Sequence, residues 1–150
     1  MADITGSLGQ GIAEVQVASY GTKAGANNGG GANIPPGATP IVVQTTGAAA
    51  AITATIPGVA GKTTYLLGFD IDGLGATAGT TINITVTGLP TTLSFQEAVP
   101  AGVTTPIANI NWRAPVAIPA SAPNTAIVVN VPSYGAGNTS AIVRAYGYQL

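Results

Sequence analysis

The chain contains no cysteine and no histidine. Without cysteine there are neither disulfides nor thiol chemistry. Without histidine the usual general base, proton shuttle and transition-metal ligand is missing. Together the two absences weigh against nucleophilic triads and zinc sites. Charge is scarce too. Four Lys+Arg and five Asp+Glu make up 6% of the residues, with a net charge of -1. An ordinary soluble domain carries about 25% charged residues. The outside must therefore be built from Thr, Ser, Asn, Gln, Gly, Ala and Pro. Because interface cores are depleted in charge, much of that outside is expected to be covered by other chains.

Other shortages narrow the function further. Lys23, Lys62, Arg113 and Arg144 are far apart in the sequence, and phosphate contacts need clustered Lys and Arg. Nucleic-acid binding is not expected. No run of about 18 apolar residues occurs, so no membrane-spanning helix is expected. The mean hydropathy of +0.42 comes from Ala and Val spread along strands. Met-Ala-Asp-Ile-Thr-Gly at the start has no basic segment followed by an apolar one, so no signal peptide is expected.

What is present is alternation. Lys62–Leu89 organises the chain, as two alternating segments around a glycine-rich turn. Leu67, Phe69 and Ile71 share one face, with Asp70 and Asp72 on the other. Ile82, Ile84 and Val86 share a face opposite Thr81, Asn83, Thr85 and Thr87. Period-two alternation marks half-buried strands, and Gly73, Gly75 and Gly79 allow a reversal, so a β-hairpin is expected here.

Residues 1–38 have a different texture. Ile4, Leu8, Ile12 and Val15 fall at roughly helical spacing, but Gly6, Gly9 and Gly11 interrupt them at about 1 kcal/mol each. A short strand through Ala13–Tyr20, with Val15 and Val17 alternating, fits better. Gly21–Gly37 is Gly/Asn-rich and ends in Pro35-Pro36, which reads as a linker. Residues 1–38 are thus expected to be an extended arm that docks on a neighbour through Ile4, Leu8, Ile12, Val15, Val17 and Tyr20.

Residues 39–150 read as short strands: Ile41–Thr46, Ala51–Ile56, the two halves of the hairpin, Thr91–Val99, Ile107–Arg113, Thr125–Val131 and Ser140–Gln149. Prolines at 115, 119 and 123 are expected to cap short pieces around Val116–Ile118. Eight or nine strands in about 110 residues, with turn signals every 8–12 residues, predict an all-β antiparallel sandwich of about eight strands, jelly-roll-like.

Few side chains suggest chemistry. Asp70 and Asp72 match a fragment of a calcium loop, but the following positions are Leu74, Ala76 and Ala78 rather than oxygen ligands. The other acids are Asp3, Glu14 and Glu97. Glu97 and Arg113 each sit near apolar residues and are expected to pair. Trp112 and Tyr134 are candidate interface anchors, and Tyr134, Tyr146 and Tyr148 are candidates for a small patch. No phosphate loop is present. Asn83-Ile-Thr85 and Asn138-Thr-Ser140 match glycosylation acceptors. No catalytic, cofactor or metal-binding residues are assigned, and an enzyme is not expected.

Four phrases carry a resemblance to a known class of protein. They are Thr63-Thr-Tyr-Leu-Leu-Gly-Phe-Asp-Ile-Asp-Gly-Leu-Gly-Ala-Thr, Pro100-Ala-Gly-Val-Thr, Pro119-Ala-Ser-Ala-Pro-Asn-Thr-Ala, and the ending Ala145-Tyr-Gly-Tyr-Gln-Leu150. Across residues 60–150 the chain resembles the small capsid decoration, or cement, proteins of tailed bacteriophages. The resemblance implies a β-sandwich body, a homotrimer, binding to the major capsid protein on the outer capsid surface of the virion after synthesis in the host cytoplasm, and no activity or cofactor. Alternatives of other kinds are a tail or fibre component, and a carbohydrate-binding or ice-binding module.

Overall fold

The computed structural model describes residues 34–150. The expected arm residues Ile4, Leu8, Ile12, Val15, Val17 and Tyr20 lie outside them. Thr39–Leu150 form one compact unit of eight strands: β1 (Thr39–Gly47), β2 (Ile52–Ile56), β3 (Thr64–Gly73), β4 (Thr80–Thr87), β5 (Leu93–Val99), β6 (Ile110–Pro119), β7 (Ile127–Val131) and β8 (Ala141–Gln149). They make two four-stranded sheets, a front sheet in the order β1-β8-β3-β6 and a back sheet in the order β2-β7-β4-β5. Every paired strand is antiparallel. Every connection except β4–β5 crosses from one sheet to the other. This is the jelly-roll arrangement, and the all-β sandwich expected from the alternation is what the body forms.

The alternation places the core. Ile52, Ala54 and Ile56, then Ile82, Ile84 and Val86, then Ile127, Val129 and Val131 are buried on the inner face of the back sheet. Leu66, Phe69, Ile71, Val143 and Ala145 answer them from the front sheet. Aromatic rings join the layers. Phe69 lies 5.1 Å from Phe95, edge-on, and 5.4 Å from Trp112, stacked. Phe95 also meets Trp112 at 5.7 Å. Such ring pairs add roughly 0.5–1.5 kcal/mol beyond their area.

Three expectations need correction. The Lys62–Leu89 stretch is not a hairpin: β3 belongs to the front sheet and β4 to the back. Alternation reports which side of a strand is dry, and two strands facing each other across a core share that signature with two paired strands. Leu67 does not share the inward face of Phe69 and Ile71. Leu66 is buried and Leu67 only half-buried. Between the pairs Leu66↔Gly147 and Gly68↔Tyr146, β3 advances two residues and β8 one, so Leu67 is a bulge residue. Finally, Val116–Ile118 is not a separate capped piece. β6 runs through Pro115, as edge strands allow. Between Gly68↔Arg113 and Leu66↔Ile118, β3 advances two residues and β6 five, and Val116 in that bulge is exposed.

Candidate functional site

Two surfaces and one end of the sandwich concentrate the unusual side chains. The outer face of the front sheet holds Asp70 and Asp72 on β3, Arg113 on β6 and Arg144 on β8, four of the nine charged residues of the chain. Antiparallel register puts them together: Asp70 is the Cα partner of Arg144, and Gly68 of both Arg113 and Tyr146. Arg113 closes a two-pronged ion pair on Asp70, Nη1 to Oδ1 at 2.7 Å and Nη2 to Oδ2 at 3.1 Å. The Tyr146 hydroxyl donates a short hydrogen bond to Asp70 Oδ2, and the guanidinium sits 4.6 Å from the centre of the Tyr146 ring. Arg144 Nε donates to Gln44 Oε1 at 2.7 Å. One row further on, Tyr65 and Tyr148 stack at 4.8 Å.

A glycine makes this network possible. A Cβ at Gly68 would lie 2.4 Å from the Trp112 carbonyl oxygen and 2.8 Å from Arg113 Cδ. With a hydrogen there instead, the Arg113 stem crosses β3 and its head reaches Asp70. Burial alone would push the Asp70 carboxyl up. The hydrogen bonds from Arg113 and Tyr146 and the positive charges of Arg113 and Arg144 outweigh it and hold the carboxyl below the usual aspartate value. Burial, then the bond to Asp70, pushes the Tyr146 phenol up. The face is polar, and at its centre Asp70 and Arg113 are engaged with each other.

The outer face of the back sheet is the opposite case. The register aligns Thr53 (β2), Asn130 (β7), Thr85 (β4) and Ser94 (β5) in one row across all four strands. Asn83 pairs with Gln96 on one side of that row, and Thr55, Val128 and Thr87 line up on the other. Most of these side chains are exposed, and none is ionisable. Neighbouring strands are about 4.8 Å apart and same-face residues about 6.8 Å, so the row is a closely spaced, uncharged grid of hydroxyls and amides.

One end of the sandwich gathers the β1–β2, β3–β4, β5–β6 and β7–β8 connections. Asn138 ties three of them together from a nearly buried position. Its Nδ2 donates to the carbonyls of Leu74 at 2.6 Å and Ser140 at 3.0 Å, and its Oδ1 accepts the Ala49 N–H at 3.2 Å. Ala49 stands at φ 52°, a left-handed conformation unusual for a residue with a Cβ. Ser133 Oγ fixes its carbonyl at 2.9 Å. The fourth connection joins through Gly75 N–H to Thr105 O at 2.7 Å and Gly102 N–H to Ala76 O at 2.7 Å. A shallow cleft runs between Thr80–Asn83 and Pro132–Ala136.

The residues singled out from the sequence are scattered over these regions. Trp112 faces the core between Phe69 and Phe95. Tyr134 is buried at the loop end, away from Tyr146 and Tyr148 on the front face. The expected Glu97–Arg113 pair does not form, because Arg113 points to the outer face of the front sheet and Glu97 inward from β5. Asn138, which matches a glycosylation acceptor, has its side chain committed inside the loop end. The Asn138 hub and the Asp70–Arg113–Tyr146 cluster join strands and loops distant in sequence. Their only advance signal was a polar residue in an otherwise apolar or turn context. No protein-family model, no curated protein and no solved structure matches the chain.

Proposed function

We propose that the chain is a structural virion protein that decorates the outer surface of a tailed-phage head as a homotrimer and stabilises the shell by bridging copies of the major capsid protein. What carries this reading is the outer face of the back sheet, four strands wide and without an ionisable side chain. Burying a charge against a partner is costly unless it is paired, and buried interface centres are accordingly poor in charge. A neutral grid of Thr, Asn, Ser and Gln can be covered without that cost, and its hydroxyls and amides can exchange water for partner backbone groups. The front face, by contrast, carries four charged side chains, with Asp70 and Arg113 paired. The phrases across residues 60–150 that resemble decoration proteins point the same way, as does an N-terminal stretch suited to bridging.

Cementing acts by burial. Apolar area removed from water contributes about 25 cal/mol per Å² before the ordering cost of association, and attachment at several points multiplies weak contacts through effective concentration. The back-sheet face is the docking surface in this account, and the arm residues Ile4, Leu8, Ile12, Val15, Val17 and Tyr20 extend the contact to a neighbour.

The test is co-sedimentation of the purified full chain with heads that lack it, together with the mass of the free protein by light scattering. Saturable binding of a trimer that raises the temperature at which the heads rupture is the expected result. Failure to bind heads, with binding to a glycan array instead, would replace this reading with a carbohydrate-binding module.

A further inference from the structure

β4 is a central strand of the back sheet, yet only part of it has two neighbours. Its register with β5 runs from Thr80 to Val86, whereas its register with β7 covers only Thr85–Thr87. Continued by two residues, the second register would set Ile84 against Val131 and Asn83 against Pro132. Proline has no N–H to donate, and β7 ends at Val131. The cleft opens there, between Thr80–Asn83 and Pro132–Ala136. Among the described residues no hydrogen bond runs from one of these walls to the other. Successive residues of an antiparallel strand turn their N–H and C=O groups to opposite sides. Two of the four residues Thr80–Asn83 therefore bond to β5, and the other two direct N–H and C=O into the cleft.

An unpaired ladder is a template for another strand, and folded chains blunt such edges with proline, bulges, inward charges or covering segments. The outer edges of both sheets are blunted in these ways. β1 lies against β2, with Thr45 Oγ1 donating to the Thr53 carbonyl at 2.6 Å. β6 carries Pro115 and its wide bulge. β5 turns Glu97 inward. The open part of β4, Thr80-Thr81-Ile82-Asn83, has neither proline nor charge. The cleft beside it is lined without Asp, Glu, Lys or Arg. A charged side chain buried there would be unpaired and costly, so the cleft suits an uncharged segment. Thr81 and Asn83 stand on the same face of β4 as Thr85, so the cleft is continuous with the neutral grid.

We propose that β4 takes an added strand: an extended, uncharged segment of the major capsid protein enters the cleft and pairs with Thr80–Asn83. The proposal rests on the decoration reading and names how the partner is held. Main-chain hydrogen bonds give such a junction its affinity, and pockets for alternate side chains give it selectivity. The segment also brings carbonyl acceptors to a cleft lined by Tyr134, whose buried hydroxyl has no hydrogen-bond partner.

Hydrogen exchange of the full chain, free and attached to heads that lack it, tests the proposal amide by amide in a fragmenting mass spectrometer. In the free protein two alternate amides of Thr80–Asn83 are expected to exchange fast and the other two slowly. On attachment the fast pair should slow at least tenfold, while the edge-facing amides of β5, on the same sheet, stay fast. Ala136→Trp, on the exposed wall of the cleft, should fill the gap and weaken attachment at least tenfold, with urea unfolding unchanged. Four slow amides in the free protein would overturn the proposal, since no ladder would then be open. Equal slowing on β4 and β5 would overturn it as well, because covering the face would suffice. Attachment with the fast pair still fast, or unchanged in Ala136→Trp, would remove the added strand and leave the decoration reading standing. Failure to attach at all would remove both.

Discussion

The two outer faces of this sandwich are made by the same strand geometry and yet differ in kind. On the front sheet, charge and aromatic rings are drawn together: Asp70 with Arg113 and Tyr146, Arg144 with Gln44, Tyr65 with Tyr148, and Asp72 beside them. On the back sheet, the row Thr53–Asn130–Thr85–Ser94 carries no charge at all. The difference teaches how a chain with nine charged residues can divide its surface. Among the described residues, four charged side chains gather on one face and none stands on the opposite one. A face meant for water gains nothing from being neutral, whereas a face meant for burial does.

That contrast can be broken from either side. The largest effect is expected from a charge placed at the centre of the neutral face. Thr85→Lys should weaken attachment to heads by at least ~100-fold, since an unpaired buried charge costs about 3 kcal/mol or more and each 1.4 kcal/mol is tenfold. Its folding stability in urea should stay within about 0.5 kcal/mol of wild type, as for most surface substitutions. Next is Gly68→Ala on the front sheet. The added Cβ meets the Trp112 carbonyl, so backbone must shift, and a loss of about 2 kcal/mol in urea unfolding is expected.

Asp70→Asn removes the ion pair. Arg113 is half exposed, so solvent screens the pair, and a loss of about 1 kcal/mol is expected near neutral pH. The sign with pH follows from the direction of the shift. Asp70 is held below its ordinary value of 3.8, so its contribution is present above that value and is lost as pH falls through the folded value. Wild type and Asp70→Asn should therefore converge in strong acid, which stability curves between pH 2 and pH 7 would check. Glu97 carries the opposite sign. Its raised value means that protonation favours the fold, an advantage lost as pH rises. Glu97→Gln should accordingly gain stability over wild type at pH 7 and match it near pH 4. The smallest effect belongs to Arg144→Gln, a few tenths of a kcal/mol for one exposed hydrogen bond to Gln44.

Much of the body was legible in the sequence because burial writes itself as alternation. The inward sets Ile52/Ala54/Ile56, Ile82/Ile84/Val86 and Ile127/Val129/Val131 could be read directly. What alternation does not encode is which strand lies beside which. For that reason β3 and β4 looked like a hairpin, and Arg113 was matched with Glu97 rather than with Asp70, 43 residues earlier. Bulges are similarly silent. One extra residue at Leu67 moved Leu66 inward, and the wide bulge of β6 let an edge strand run through Pro115. The candidate surfaces were legible only as composition. The scarcity of charge was visible, but its segregation to one face depends on register. Asn138 matched a glycosylation acceptor, and nothing local announces a side chain that also bonds groups 63 to 89 residues away.

The absence of native cysteine makes the decisive measurement clean. A single cysteine is placed at Thr85, in the middle of the back face, or at Val42, exposed on the front face. Its reaction rate with a small thiol reagent is then compared for the free protein and for protein attached to heads. The account predicts that attachment protects the cysteine at 85 and leaves the one at 42 as reactive as in the free protein. Protection at 42 with free reaction at 85 would contradict it and make the charged face the docking surface.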